Sequence, residues 1–197
     1  MARLQTSYWS AQAVAAYSQK AQPFLNAIAD GIFTSVEVRN WLIAQTNAAS
    51  SYKSAAILIE EQKAVRWHKK PTLQPFWANY HCGRDADCTC RIVGSKSLES
   101  DAIFFLQNGS GRILAVHIEF KHPKEPFGFG QPEGYPMRAD CFARTHRERS
   151  TLNAHDDWIT VIFCDEATLS DQRLSHFERV ITHREAAAMI PNYPCNE

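Results

Sequence analysis

Residues 101 to 121, DAIFFLQNGSGRILAVHIEFK, decide how the chain folds. Residues 101 to 107 and 112 to 121 alternate as strands of period two, and the turn cluster Asn108-Gly109-Ser110-Gly111 lies between them. Along the second strand Leu114, Val116, Ile118 and Phe120 make one apolar face, while His117, Glu119 and Lys121 share the other. Asp101 opens the first strand, and an antiparallel hairpin turning at residues 108 to 111 carries that start to the end of its partner. A register that sets Asp101 opposite Glu119 lets two carboxylates reach one cation, with Lys121 two residues further along the same face.

Outward from the hairpin, the N-terminal half reads as helical. Residues 10 to 21 are rich in Ala and Gln, Thr34-Ser35-Val36-Glu37 has capping-box spacing, and a helix over residues 50 to 68 stops at Lys69-Lys70-Pro71. Residues 87 to 93, DCTCRIV, read as a first strand before the hairpin. Residues 122 to 136, HPKEPFGFGQPEGYP, hold four Pro and three Gly and read as a loop. A helix is predicted over residues 136 to 149, a buried strand over residues 158 to 164 and a last helix over residues 170 to 187. The expectation is a single α/β domain: a core over residues 50 to 187 built on a four-stranded mixed sheet flanked by helices, a helical extension over residues 1 to 49, and a tail over residues 188 to 197.

Composition narrows the function. The 197 residues include 21 Lys plus Arg against 21 Asp plus Glu, so no global field draws the chain to nucleic acid or anionic lipid, and any nucleic-acid contact must come from a local patch. No apolar run approaches a bilayer span and no secretory pattern opens the chain, which predicts a soluble, unexported, cytoplasmic protein with reduced thiols and no membrane partner. Oligomeric state, homo-oligomer included, is left open.

Two carboxylates held close repel unless neutralised, and a hard divalent ion such as Mg²⁺ is the usual remedy. A lysine beside the ion can orient or deprotonate a bound water. These parts suit metal-assisted attack on a phosphodiester.

The order of helix, strand, strand with Asp101, strand with Glu119-Phe120-Lys121, helix and strand resembles the PD-(D/E)XK nuclease superfamily, the restriction-endonuclease-like fold. The resemblance runs from about Ser50 to Cys164, with 17 residues between Asp101 and Glu119 and Ser100 where the family has proline. It implies a metal-dependent nuclease acting on DNA, with Asp101, Glu119 and the Phe120 backbone carbonyl holding Mg²⁺ or Mn²⁺ and Lys121 serving the water. Family members often carry an acidic residue on the first core helix; Glu60 and Glu61 are the candidates here, and Glu61 lies nearer the apolar stripe of its helix. Gln131 and Tyr135 have the Q-x-x-x-Y spacing that RecB-type members place on the helix after the lysine, but Pro132, Gly134 and Pro136 put this pair in a loop at the site's edge. Arg138, Arg144, Arg147 and Arg149, with Lys69 and Lys70, are candidate phosphate contacts. The competing reading is a catalytically silent member that binds nucleic acid or a partner protein. His81, Cys82, Cys88 and Cys90 offer four zinc-compatible ligands, although Cys88 and Cys90 share a strand face with Ile92 and read first as buried structural thiols. His117 is a candidate neighbour of the metal site, and His122 follows Lys121 directly.

Overall fold

The computed structural model describes residues 20–69, 76–82, 88–96, 99–144 and 152–194, of which residues 67–69 and 77–79 are described by their backbone alone. The hairpin stands at the centre of the sheet. β3 (Glu99–Gln107) and β4 (Ile113–Phe120) pair antiparallel from Ala102 opposite Ile118 to Gln107 opposite Ile113. The turn chemistry sets this register: Asn108 Oδ1 accepts from the N–H groups of Ser110 and Arg112 at 3.1 and 3.0 Å, and Gly111 takes a φ of +83°. A one-residue slip would send every apolar side chain of β4 to the wrong face.

Two further strands extend the sheet in parallel, β5 (Asp157–Cys164) on β4 and β6 (Arg179–Thr182) on β5, and helix α4 (Gln131–Arg144) makes the crossover between β4 and β5. On the other side of β3, β1 (Ala56–Ile57) pairs near its end and β2 (Trp77–His81) near its start. The face formed by Phe104, Leu106, Leu114, Val116, Ile118 and Phe120 is covered by α1 (Gln22–Thr34), α2 (Val36–Ile43) and α5 (His183–Met189). On the opposite face Ile103, Phe105 and Ala115 pack with Cys141 and Phe142 of α4. Glu119 and Lys121 belong to that second face. No helix among the described residues is long and apolar enough to cross a membrane.

The α/β class and mixed sheet agree with the sequence reading, but several elements differ. Among the described residues the sheet has six strands rather than four. Residues 88–93 form no strand, because β2 already occupies the edge of β3 beside Ala102 and Ser100. The helix expected over residues 50 to 68 is α3 (Ile59–Lys69), preceded by turns in which Ser54 takes a φ of 58° and by the two residues of β1. Residues 170 to 187 hold three elements in place of one helix: a 3₁₀ turn, β6 and α5. Asp171 caps the turn through its side chain, while Val180 and Ile181 pair with β5. α2 is capped by Ser35 rather than Thr34, which closes α1. Within the expected tail, Ile190 and Tyr193 are buried in the core. Almost all of the helix expected over residues 10 to 21 lies outside the described residues.

Candidate active site

Asp101 precedes Ala102 and Glu119 follows Ile118, so the hairpin register carries the two carboxylates to facing positions where β3 starts and β4 ends. Asp101 Oδ2 accepts from the N–H of Phe120 at 2.8 Å, which fixes the aspartate across the strand pair. The N–H of Lys121 donates to the Phe163 carbonyl at 2.9 Å, extending the pairing with β5 by one residue past β4. Lys121 Nζ lies 3.3 Å from Glu119 Oε1 and 3.1 Å from Glu125 Oε1. Glu119 is 1% exposed and Lys121 4%, so their charges meet almost without water.

α4 completes the arrangement, and it begins where the sequence predicts a loop. Gly130, with a φ of +67°, turns the chain into the helix, and the Gly134 N–H donates to the Gly130 carbonyl at 3.1 Å. Pro132 falls in the first turn, where backbone N–H groups have no intrahelical partner, so its missing donor forfeits nothing; Pro136 removes one bond inside the helix. Gln131 and Tyr135 are therefore one turn apart on one side. Gln131 Nε2 donates to Glu119 Oε1 at 2.6 Å, and the Tyr135 hydroxyl donates to Glu119 Oε2 while accepting from the Asp101 N–H at 3.2 Å. Gly134 leaves room for Arg138: a Cβ there would lie 2.6 Å from Arg138 Nη1. The guanidinium carbon instead sits 4.5 Å from the centre of the Tyr135 ring.

Burial raises the pKa of Glu119 above the ordinary carboxyl range, and Lys121, Tyr135 and Arg138 pull it back only in part. Burial works against the charge on Lys121, but Glu119 and Glu125, with Asp101 behind them, outweigh it and hold the ammonium above its ordinary value. Burial and then the two carboxylates push the Tyr135 phenol well up. At neutral pH Lys121 is thus a cation and Tyr135 a neutral donor.

Other predicted residues fall elsewhere. Glu60 and Glu61 are exposed on α3, and Glu60 pairs with Lys63 at 2.8 Å. The inward position expected for Glu61 belongs to Gln62, whose Nε2 donates to the Ile103 carbonyl at 2.6 Å and the Tyr80 hydroxyl at 2.7 Å. Tyr135 and Arg138 are buried, so neither is a surface contact for nucleic acid. Arg144 is exposed and pairs with Asp140 at 2.8 Å, at the end of α4 remote from Glu119. Arg147, Arg149, Lys70 and the side chain of Lys69 lie outside the described residues. His117 shares the Glu119 face but is fully buried and stacked on Phe142, with Nδ1 3.4 Å from Ser100 Oγ. His122 turns to the other face, edge-on to Phe120.

Glu125 and His183 are participants that the sequence did not disclose. His183 Nε2 bonds the Lys121 carbonyl at 2.8 Å and its Nδ1 meets the Tyr193 hydroxyl at 2.8 Å. Glu125 lies in an irregular loop and His183 begins a distant helix, so neither carries a periodic signal. His81 does not join the thiols of Cys82, Cys88 and Cys90, and lies instead 3.9 Å from Glu99; the fourth partner of those thiols is Cys141 of α4. A groove of about 480 Å³, lined in part by Tyr52, Arg112, Asp157 and Trp158, opens at the other end of the sheet, where β5 begins. No protein-family model, curated protein or solved structure matches the chain.

Proposed function

We propose that the chain is a metal-dependent nuclease of restriction-endonuclease-like fold that hydrolyses phosphodiester bonds in DNA. The observation that carries the reading is the facing placement of Asp101 and Glu119, with Lys121, Gln131 and Tyr135 gathered on the Glu119 carboxylate. The order β2, β3 with Asp101, β4 with Glu119-Phe120-Lys121, α4 and β5 supports it as well, because it follows the superfamily's pattern of strand, strand with Asp, strand with (D/E)-x-K, helix and strand.

The donor set fits a hard ion. The carboxylates of Asp101 and Glu119 and the carbonyl of Phe120 are oxygen ligands of the kind Mg²⁺ and Mn²⁺ take, and Glu119 is a buried carboxylate whose ionisation a cation would favour. Bound there, Mg²⁺ or Mn²⁺ supplies polarisation of a phosphoryl oxygen and a water of lowered pKa. Lys121, kept charged by its two glutamates, would orient an attacking water and offset charge on the phosphate rather than remove the proton. Gln131 and Tyr135 fix the two oxygens of Glu119, and the Phe120 N–H fixes Asp101.

The same bonds favour a second reading, a catalytically silent domain that binds nucleic acid or protein, since both Glu119 oxygens already have protein donors. Incubation of the purified chain with plasmid, linear duplex and single-stranded DNA in Mg²⁺, Mn²⁺ or EDTA separates the two. Cleavage that EDTA stops and that Asp101→Asn abolishes supports the nuclease; no cleavage under any metal condition, with DNA still bound in a gel-shift of the same mixtures, favours the silent domain.

A further inference from the structure

We propose that Cys82, Cys88, Cys90 and Cys141 hold one Zn²⁺ ion in a closed four-thiolate site that fastens the chain after β2 to α4. This inference goes beyond the nuclease reading and concerns other side chains. The four Sγ atoms lie within 4.8 Å of one another. Cys82 is their hub, 3.2 Å from Cys90, 3.6 Å from Cys141 and 3.7 Å from Cys88. A tetrahedron with zinc–sulfur bonds of about 2.3 Å has sulfur–sulfur edges of about 3.8 Å, so the thiols already stand near the spacing that one ion imposes. A disulfide requires about 2.05 Å, and an iron–sulfur cluster places its own iron and sulfide between the thiolates and spreads them further.

The surroundings specify the kind of site. Cys82, Cys90 and Cys141 are buried and Cys88 partly so, among Leu58, Tyr80 and Phe142. Four sulfur ligands and an apolar wall leave no position open to water or substrate, which marks a structural centre rather than a catalytic one. Thiols packed against thiols make only weak hydrogen bonds, whereas four thiolates would repel strongly without a dication between them. Soft sulfur donors also select zinc over the hard ions suited to Asp101 and Glu119.

The position gives the centre a task. Cys141 stands on the same helix as Gln131 and Tyr135, and the chain that carries Cys88 and Cys90 continues to Ile92 and Ser95, which lie 3.1 Å from where a Cβ on Gly130 would sit. The loop therefore grips α4 at its first turn and, through the ion, three turns later. Zinc binding presses the helix onto β4 and keeps Gln131 and Tyr135 on Glu119.

Elemental analysis of the full chain, purified in reductant without added metal or chelator, tests this without any substrate. The expected content is about one zinc per chain, falling at least about fivefold in Cys141→Ser and Cys90→Ser and unchanged in Cys164→Ser, whose thiol lies in a different cluster. Cobalt substitution of the unaltered chain covers the case in which the serine variants do not fold: thiolate-to-cobalt charge-transfer bands with tetrahedral d–d bands are expected. Zinc below about a tenth per chain, iron with acid-labile sulfide, a disulfide among these cysteines, or cobalt bound without thiolate bands would each overturn the assignment.

Discussion

Tyr135 holds Glu119 from the second turn of α4, donating to the carboxylate while its hydroxyl oxygen accepts from the Asp101 N–H. One phenol thus joins the Glu119 carboxylate and the Asp101 backbone, and with them both strands of the hairpin, to the crossover helix. The hydroxyl also lies 3.2 Å from the Ile118 carbonyl, so the end of β4 closes around it.

Tyr135→Phe removes that join. The Asp101 N–H loses its acceptor and Glu119 a donor, a loss of about 1–3 kcal/mol for buried groups, measured by urea denaturation. Because the Tyr135 bond lowers the pKa of Glu119, its removal raises that value further. The acid limb of the pH–rate profile should move to higher pH, since a larger share of Glu119 is then protonated at any given pH.

Gly134→Ala should separate the site from the fold. The new methyl meets the Arg138 guanidinium at 2.6 Å, and because that side chain is buried the displacement outweighs the up to about 1 kcal/mol that alanine adds to a helix over glycine. The melting midpoint should fall modestly, and cleavage should fall further than stability does as the guanidinium leaves Tyr135 and ceases to favour ionised Glu119. Circular-dichroism melts and initial rates on the same preparation check both halves.

Two buried histidines and one half-buried make stability depend on pH. Burial holds His117, His155 and His183 below their ordinary value of 6.5, so the unfolded chain takes up protons that the native chain resists. Their contribution is full above the unfolded value and is lost as pH falls through it; Glu119, raised instead of lowered, works in the opposite sense and offsets part of the loss. Melting midpoints should drop from about pH 7.5 to about pH 5.5, and His117→Gln should flatten that drop. A midpoint constant over the range would contradict the burial of neutral imidazoles.

The hairpin and its two acids were legible in the sequence because two independent signals agree. The alternation of Val116, Ile118 and Phe120 with His117, Glu119 and Lys121 fixes the faces of β4, and Asn108 with Gly111 fixes the turn, hence the register. What was not legible depended on tertiary context. Pro132 and Pro136 read as breakers, yet one sits where a helix has no bond to lose and the other costs a single bond in a helix anchored at Glu119 and among the cysteines. Residues 87 to 93 have strand-forming side chains, but the edge they would join is filled by β2. Glu61 lost its expected place because Gln62 and Arg66 fill the inward side of α3, with Arg66 stacked 3.9 Å from the centre of the Tyr80 ring, and hydropathy cannot mark polar side chains as buried. The helix α1 carried a readable signal in Leu25, Ile28, Ala29 and Ile32, which repeat at helical spacing.

Single-turnover cleavage of DNA by Lys121→Gln at saturating protein tests the central claim most directly, with binding measured on the same substrate. The substitution keeps a hydrogen-bond donor and removes the charge, so the rate is read at a pH high enough that Glu119, which Lys121 helps to ionise, is deprotonated in both proteins. The rate should fall on the order of 10²-fold with affinity nearly unchanged, as expected of a preorganised electrostatic contact to the transition state. An unchanged rate, or a loss confined to binding, would show that Lys121 plays no part in the chemistry and would contradict the assignment of Asp101, Glu119 and Lys121 as one catalytic site.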